Sequence, residues 1–264
     1  MNEELKKFFE DQLESWELAK RNYEALDMVK KKPFQVKDLK GIVQFNPARA
    51  VSTLAKVDEA SIKKRDCFLC EKHRPKEQAS LNILPGWELL VNPYPILPYH
   101  FTIASKEHEP QEVKIKVGEE LAGKLEGMVV FYNDAGAGAS APDHAHFQAV
   151  PKTTLPLITL LDEKDGEGIE ILQLPYQVIM NPQEIAMNKN PWNLFFWKDN
   201  RGEIKTVGIS RKAHRPREYY LEKPERRSVS PGAIDMAGII VIPFEEDFEA
   251  ISNEDIENIY TQVS

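Results

Sequence analysis

The sequence predicts an α+β fold, an antiparallel sheet with flanking helices, and three observations predict it. Short runs rich in β-branched, aromatic and aliphatic residues recur at Trp87–Val91, His100–Ala104, Met128–Tyr132, Asn193–Trp197, Ile204–Gly208 and Ile239–Ile242. Segments of helical period lie among them, without the regular strand–helix alternation of a doubly wound sheet. Asp199-Asn-Arg-Gly202 joins two of the runs as a hairpin-type turn, a connection open only to antiparallel neighbours.

The elements follow in order. Residues 3–30 read as one amphipathic helix, because Leu5, Phe8, Phe9, Leu13, Trp16, Ala19, Tyr23 and Leu26 recur at helical spacing. Lys30-Lys-Lys-Pro33 ends it, since cations suit a helix C-terminus and proline cannot continue one. This sets residues 1–32 apart as an N-terminal helix packed on the body. Val43-Gln-Phe-Asn-Pro-Ala-Arg-Ala-Val51 reads as a short strand and a turn, followed by the cysteine pair and a polar loop. The proline-rich connector Asn92–Pro98 between the next two strands stays out of a central sheet. Residues 116–127 read as a helix leading into the buried strand Met128–Tyr132. After Pro151 the pattern repeats loosely and closes with an acidic helical tail. Two similar halves are therefore expected, residues 33–155 and 156–264, the second completing the sheet and the substrate pocket.

The 264 residues, 42% hydrophobic, suffice for a sizeable core. A formal net charge of -8 opposes non-specific binding to nucleic acid or anionic membranes, though a nucleotide substrate needs only local positive potential. The charged, amphipathic N-terminus lacks the apolar core of a signal peptide, and no window of about 18 apolar residues exists to span a membrane. Both of the chain's two cysteines lie in Cys67-Phe-Leu-Cys70, unlike a disulfide-stabilised secreted protein. A soluble, cytoplasmic chain is the expectation.

Chemistry concentrates in Asn133-Asp-Ala-Gly-Ala-Gly-Ala-Ser-Ala-Pro-Asp-His144-Ala-His146-Phe-Gln148. A small-residue loop stands directly before three polar side chains at alternating positions. A strand after Asp143 would turn all three to one face, with neighbours about 6.6 Å apart. Loop N–H groups can cradle oxyanions and a neutral imidazole can attack phosphorus. An isolated H-x-H-x-Q is most simply three polar positions on a half-buried strand; the glycine loop before it and the cysteine pair upstream favour a site. Cys67 and Cys70 have the gap that lets two thiolates reach one ion, and a Cys2His2 zinc site needs two of the six histidines. Two buried thiols or a redox pair are the alternatives, although a thioredoxin-like pair wants a helix N-terminus after a strand. His108 follows a strand by a short polar turn, and His144 begins the motif strand. A metal-bound imidazole has its lone pair occupied, so ligand and nucleophile are different residues. The alternating pair permits His144 to hold metal while His146 stays free, its second ring nitrogen fixed by a backbone carbonyl. Gln148 can donate to a phosphoryl oxygen. Lys152 and the cluster Arg211-Lys-Ala-His-Arg215-Pro-Arg217 are candidate cations, the cluster equally readable as a solvated loop. His73 and His214 read as loop residues and His100 as a satisfied strand histidine, none with an assigned role.

His144-Ala-His146-Phe-Gln148 resembles the motif of the histidine-triad superfamily. It is most similar to the branch with glutamine third, which holds galactose-1-phosphate uridylyltransferase, diadenosine tetraphosphate phosphorylase (ATP adenylyltransferase) and GDP-hexose phosphorylase. Val91-Asn-Pro-Tyr-Pro through His108 resembles the strand–turn–strand before that motif, and Cys67 and Cys70 the zinc knuckle of the uridylyltransferases. Ser230-Pro-Gly-Ala-Ile-Asp-Met-Ala-Gly238 through Phe248 resembles the closing segment of the GDP-hexose phosphorylases. The resemblance implies a uridylyltransferase-like, histidine-triad-like sheet with a structural zinc on Cys67, Cys70, His108 and His144. It implies that His146 forms a covalent nucleotidyl-imidazole which Gln148 stabilises. It places Asn92 at the ribose, and Asn133, Gly136, Gly138 and Ser140 in the phosphate-binding stretch. The relatives carry a serine three residues before the first motif histidine; here Ala141 stands there and Ser140 one position earlier, so the loop bulges or the contact is lost. The implied reaction cleaves a nucleoside diphosphate sugar or dinucleoside polyphosphate and transfers the nucleotidyl group to phosphate or a sugar phosphate. Both monomers and dimers occur among the relatives, which leaves a homodimer open. A hydrolase on the same fold and a non-catalytic nucleotide or zinc module are the rival readings. A zinc protein that binds nucleic acid would want a basic surface with interleaved aromatics.

Overall fold

The computed structural model describes residues 1–50, 59–164 and 171–264. Instead of one helix over 3–30 there are two, α1 (Glu3–Ser15) and α2 (Glu17–Glu24), with a 3-10 turn after them (Ala25–Met28). The break falls at Trp16, whose backbone is extended at φ -127° and ψ 92° while its side chain is buried. Burying an indole is worth roughly 3–5 kcal/mol, which outweighs the one or two helix hydrogen bonds interrupted, at about 1 kcal/mol each. Lys30-Lys-Lys-Pro33 does not cap a helix. It opens strand β1 (Lys30–Val36), where Pro33 is tolerated because β1 is the edge of its sheet.

β1 pairs antiparallel with β2 (Leu39–Phe45), which in turn pairs parallel with β10 (Ile239–Ile242), forming a three-stranded sheet. The far end of the expected 43–51 strand and turn lies outside the described residues. A short helix, α3 (Glu59–Lys63), precedes the cysteine loop. The second sheet has seven strands, all antiparallel, in the order β3-β4-β5-β7-β6-β8-β9. These are β3 (Ser80–Leu84), β4 (Trp87–Val91), β5 (Phe101–Ser105), β6 (Met128–Asn133), β7 (His146–Pro151), β8 (Trp192–Lys198) and β9 (Ile204–Ser210). Strands from both expected halves, 33–155 and 156–264, thus form one continuous sheet, and the three-stranded sheet is not a second copy of it.

The strand alternation assigns the large sheet two faces. Val130, Tyr132, Phe147, Leu194 and Phe196 face α1, α2 and α4 (Ile115–Lys124). Phe9 packs there against Tyr23 and Phe101, at 4.8 and 5.8 Å between ring centroids, and the Tyr23 hydroxyl donates to the His100 carbonyl at 2.8 Å. Val129, Phe131, Val150, Phe195 and Trp197 face the small sheet together with α5 (Pro156–Lys164), α7 (Ala233–Met236), α8 (Glu245–Ala250) and α9 (Asn253–Val263). A further helix, α6 (Pro182–Met187), packs by β9. No helix among the described residues is long and apolar enough to cross a membrane.

Candidate functional site

His146 and Gln148 stand two apart on β7, on the face that meets the small sheet. His144 is not in line with them. β7 begins at His146, and the chain through Ala141–His144 is a turn in which the His144 N–H donates to the Ala141 carbonyl at 3.2 Å. The expected wall of three is therefore two strand positions and one turn position, and the turn swings the His144 ring toward the cysteines.

There, Cys67 Sγ lies 3.2 Å from His144 Nδ1, and Cys70 Sγ lies 3.3 Å from His108 Nδ1 and 3.6 Å from His144 Nδ1. The four ligand atoms all fall within 4.8 Å of one another. Tetrahedral zinc with sulfur at about 2.3 Å and nitrogen at about 2.0 Å requires sulfur–nitrogen separations near 3.5 Å, so the set fits the ion. The partners behind it fit too. His144 Nε2–H donates to the Ser105 carbonyl at 2.8 Å, which leaves the Nδ1 lone pair facing the thiols, and His108 Nε2 is 4.0 Å from Asp143 Oδ2. Burial alone would raise the Cys67 thiol; the His144 ring beside it and the Leu69 and Cys70 amides bring it down to about 6. It is thus suited, as a thiolate, to binding a metal ion. His73, given no role from sequence, braces the knuckle by donating to the Cys67 carbonyl at 3.2 Å.

His146 is buried, and burial pushes its imidazole down to about 4. It is therefore neutral at physiological pH. Its Nδ1–H donates to the His144 carbonyl at 2.8 Å, so the lone pair resides on Nε2. The orientation of Gln148 follows by a similar chain. The backbone N–H of Ile96 donates to His100 Nδ1 at 3.3 Å. His100, held neutral at about 3 by burial with Arg49's charge adding to the effect, then carries its proton on Nε2 and donates it to Gln148 Oε1 at 2.8 Å. The Gln148 NH2 is left as the end that can meet a ligand oxygen. His100 is accordingly more than a satisfied strand histidine: a backbone amide, which cannot flip, fixes through it which way the glutamine points. The signal in the sequence was its alternation with Thr102, whose register partner is Gln148.

Asn92 joins the same face. Its Nδ2 donates to Thr102 Oγ1 at 3.3 Å and its Oδ1 accepts from the Tyr94 N–H at 2.9 Å. Asn133 is buried, with Oδ1 accepting from Asn193 Nδ2 and from the Ala233 N–H at 2.9 and 2.6 Å. The glycine loop is not the open amide cradle expected. The N–H groups of Gly136, Ala137 and Ala139 all donate to Asp134, because an aspartate at a loop start turns the chain onto its own oxygens. Gly138 has φ +101°, and a Cβ there would meet Gly232 Cα at 2.8 Å, so glycine is required twice over. Ser140 is exposed and offers its carbonyl to Arg65, while Ala141 is buried beside the cysteines.

The candidate cations move elsewhere. Lys152 follows the end of β7, about 20 Å along the chain from His146, and bonds Asp162, Asn200 and the Lys198 carbonyl. Arg211 is not solvated. It is 1% exposed and donates to Asn193 and to the carbonyls of Val263, Pro231, Ala213 and His214. Its five donors are what make burial of the charge tolerable. Arg49, to which the sequence assigned no role, approaches the site, donating to the Tyr94 carbonyl at 2.7 Å and acting on both His100 and the buried Asp235. A cleft of about 690 Å³ lined by Val117, Ile185 and Trp192 lies against the opposite face of the sheet and is not the site.

A family model, described as Domain of unknown function (DUF4922), matches residues 8–151, more than half of the chain. The chain belongs to that family. The matched stretch of this DUF4922 chain runs from α1 to the end of β7 and so contains the cysteine pair and the H-x-H-x-Q strand. No curated protein sequence matches it. Among solved structures it is similar to yeast Ap4A phosphorylase Apa2 in complex with Ap4A, at 17% identity and TM-score 0.62, over 100% of this chain and 98% of that one. Apa2 in complex with AMP matches at 18% identity and TM-score 0.53, over 96% of both chains. At such identities the likeness is one of fold, and it extends through both sheets.

Proposed function

We propose that this protein is a nucleotidyl-transferring phosphorylase, with a dinucleoside polyphosphate favoured over a nucleoside diphosphate sugar as substrate. The observation that carries this is the pairing on β7: a neutral His146 with its lone pair on Nε2, beside a Gln148 whose NH2 end is held free. Support for the substrate class comes from the full-length likeness to a phosphorylase bound to Ap4A. In the first step Nε2 attacks the α-phosphorus, the nitrogen–phosphorus bond forms, and the bond to the bridging oxygen breaks, that oxygen leaving with the rest of the polyphosphate. In the second step a phosphate oxygen attacks the same phosphorus and the electron pair returns to Nε2. Gln148 donates to the phosphoryl oxygen in both steps, and Arg49 opposes the substrate's charge. Such transfer asks chiefly for positioning and fixed charge. Cys67, Cys70, His108 and His144 hold a structural zinc, which supports the β7 entry and supplies no step.

Incubation with diadenosine tetraphosphate is expected to yield nucleoside di- and triphosphate only when orthophosphate is added. Sustained release of nucleoside mono- and triphosphate at the same rate without phosphate would make the protein a hydrolase and overturn the transfer reading. His100→Leu, which frees Gln148 to rotate, should lower turnover roughly 10- to 100-fold with little change in KM for the nucleotide. A variant as fast as wild type under saturating substrate would remove Gln148 from the mechanism.

A further inference from the structure

β6 and β7 pair from Met128↔Pro151 to Phe131↔Gln148. Continued in that register, Asn133 would pair with His146, but there the ladder stops. The buried side chain of Gln111 occupies the place of the missing backbone partner. Its Nε2 donates to the Asn133 carbonyl at 2.8 Å and to the His146 carbonyl at 2.9 Å, and its Oε1 accepts the His146 N–H at 2.7 Å. A primary amide has the donors and the acceptor this gap demands; a carboxylate lacks the donors, and an apolar side chain lacks everything. Gln111 is itself anchored, its N–H donating to the Pro142 carbonyl at 3.1 Å, while the Glu109 carbonyl accepts the Ala145 N–H at 2.7 Å. Residues 109–111 thus run alongside the turn that delivers His144 and His146.

Resting on the reading of His146 as nucleophile, we infer that Gln111 is a positioning residue, a side-chain rung that fixes the His146 backbone and the start of the glycine loop relative to each other. Both polar backbone groups of His146 on the β6 side are held by this one amide, so the direction of the ring is set by Gln111 as much as by the β5 neighbour Ala104. The rung also holds Asn133 at the point where β6 leaves the sheet for the loop. Gln111 does not touch the reacting nitrogen; its amide bonds only backbone groups of Asn133 and His146, so it acts on orientation.

The test has two arms. In wild type, amide hydrogen exchange should show the His146 N–H protected as well as that of Val150, although no ladder strand pairs with it there. In Gln111→Met, of similar length and volume, that protection should be lost while Val150 keeps its own. The same variant should lose about 100-fold in kcat, with KM within about twofold of wild type and with the melting transition still cooperative. Gln111→Glu keeps the acceptor and loses the donors, and serves if the methionine variant does not fold; it should retain His146 protection and still lose kcat. Rapid exchange of the wild-type His146 amide, or an unchanged kcat in a folded variant, overturns the inference. If wild type processes no nucleotide, the reaction reading falls by itself, and the exchange arm still decides whether the rung exists.

Discussion

His146→Ala is expected to abolish nucleotidyl transfer, with turnover falling by roughly 10⁴- to 10⁶-fold, as when a covalent nucleophile is deleted. No neighbour can substitute. The His144 Nδ1 faces the cysteines, the His100 Nε2 proton is held by Gln148, and the Gln148 amide has no lone pair of comparable nucleophilicity. Incubating wild type with α-labelled nucleotide and quenching in base should leave an acid-labile label on this side chain, absent from the variant. The cavity left by the ring should cost about 1–2 kcal/mol of stability, so the variant folds and its zinc content stays that of wild type. Full retention of label in His146→Ala would end the covalent mechanism.

Cys67→Ser is expected to have the largest effect on stability. Cys67 and His144 are 77 positions apart in the chain and their ligand atoms 3.2 Å apart, so a metal here closes a long loop. Besides the bond from His73 to the Cys67 carbonyl, the apolar packing of the knuckle is slight: Cys67 and Leu69 belong to a small cluster with Leu90, Ala104 and Ala141. The variant should lose its zinc and about 3 kcal/mol, which lowers the melting temperature by roughly 6–12 °C for a chain of this size. Chelation of wild type should reproduce the shift, and acidification should do so as protons displace the metal from thiolate and imidazole. Activity should fall only indirectly, through the turn that leads into β7. Metal analysis and a thermal melt on the same sample check this; unchanged zinc content in Cys67→Ser would remove the cysteine from the site.

The site was legible in the sequence where chemistry is local. Two cysteines three apart suit one ion, the family resemblance pointed to His108 and His144 as their partners, and the structure brings these four together. The strand at Met128–Tyr132 was legible because a continuous apolar run bounded by turn residues has one stable use in a sheet buried on both faces. What failed was reading that depended on a distant partner. Trp16 breaks its helix because the core has a place for the indole. Arg211 looks like part of a surface cluster until five oxygens from four segments surround it. The Gly136 amide failed for a local reason instead, because Asp134, two residues before it, takes the N–H.

By itself, then, the sequence determined an α+β chain, the residues able to bind zinc, and a histidine–glutamine pair suited to phosphorus, because composition and short-range spacing fix what each side chain can do. Only the tertiary structure decided which histidine nitrogen keeps its lone pair, which end of Gln148 is presented, and that Gln111 stands between β6 and β7. Those outcomes turn on hydrogen bonds such as those between residues 22 to 48 positions apart, or on a turn that rotates a ring, and a hydrogen bond of about 3 Å has no signature in a linear string until the chain is packed.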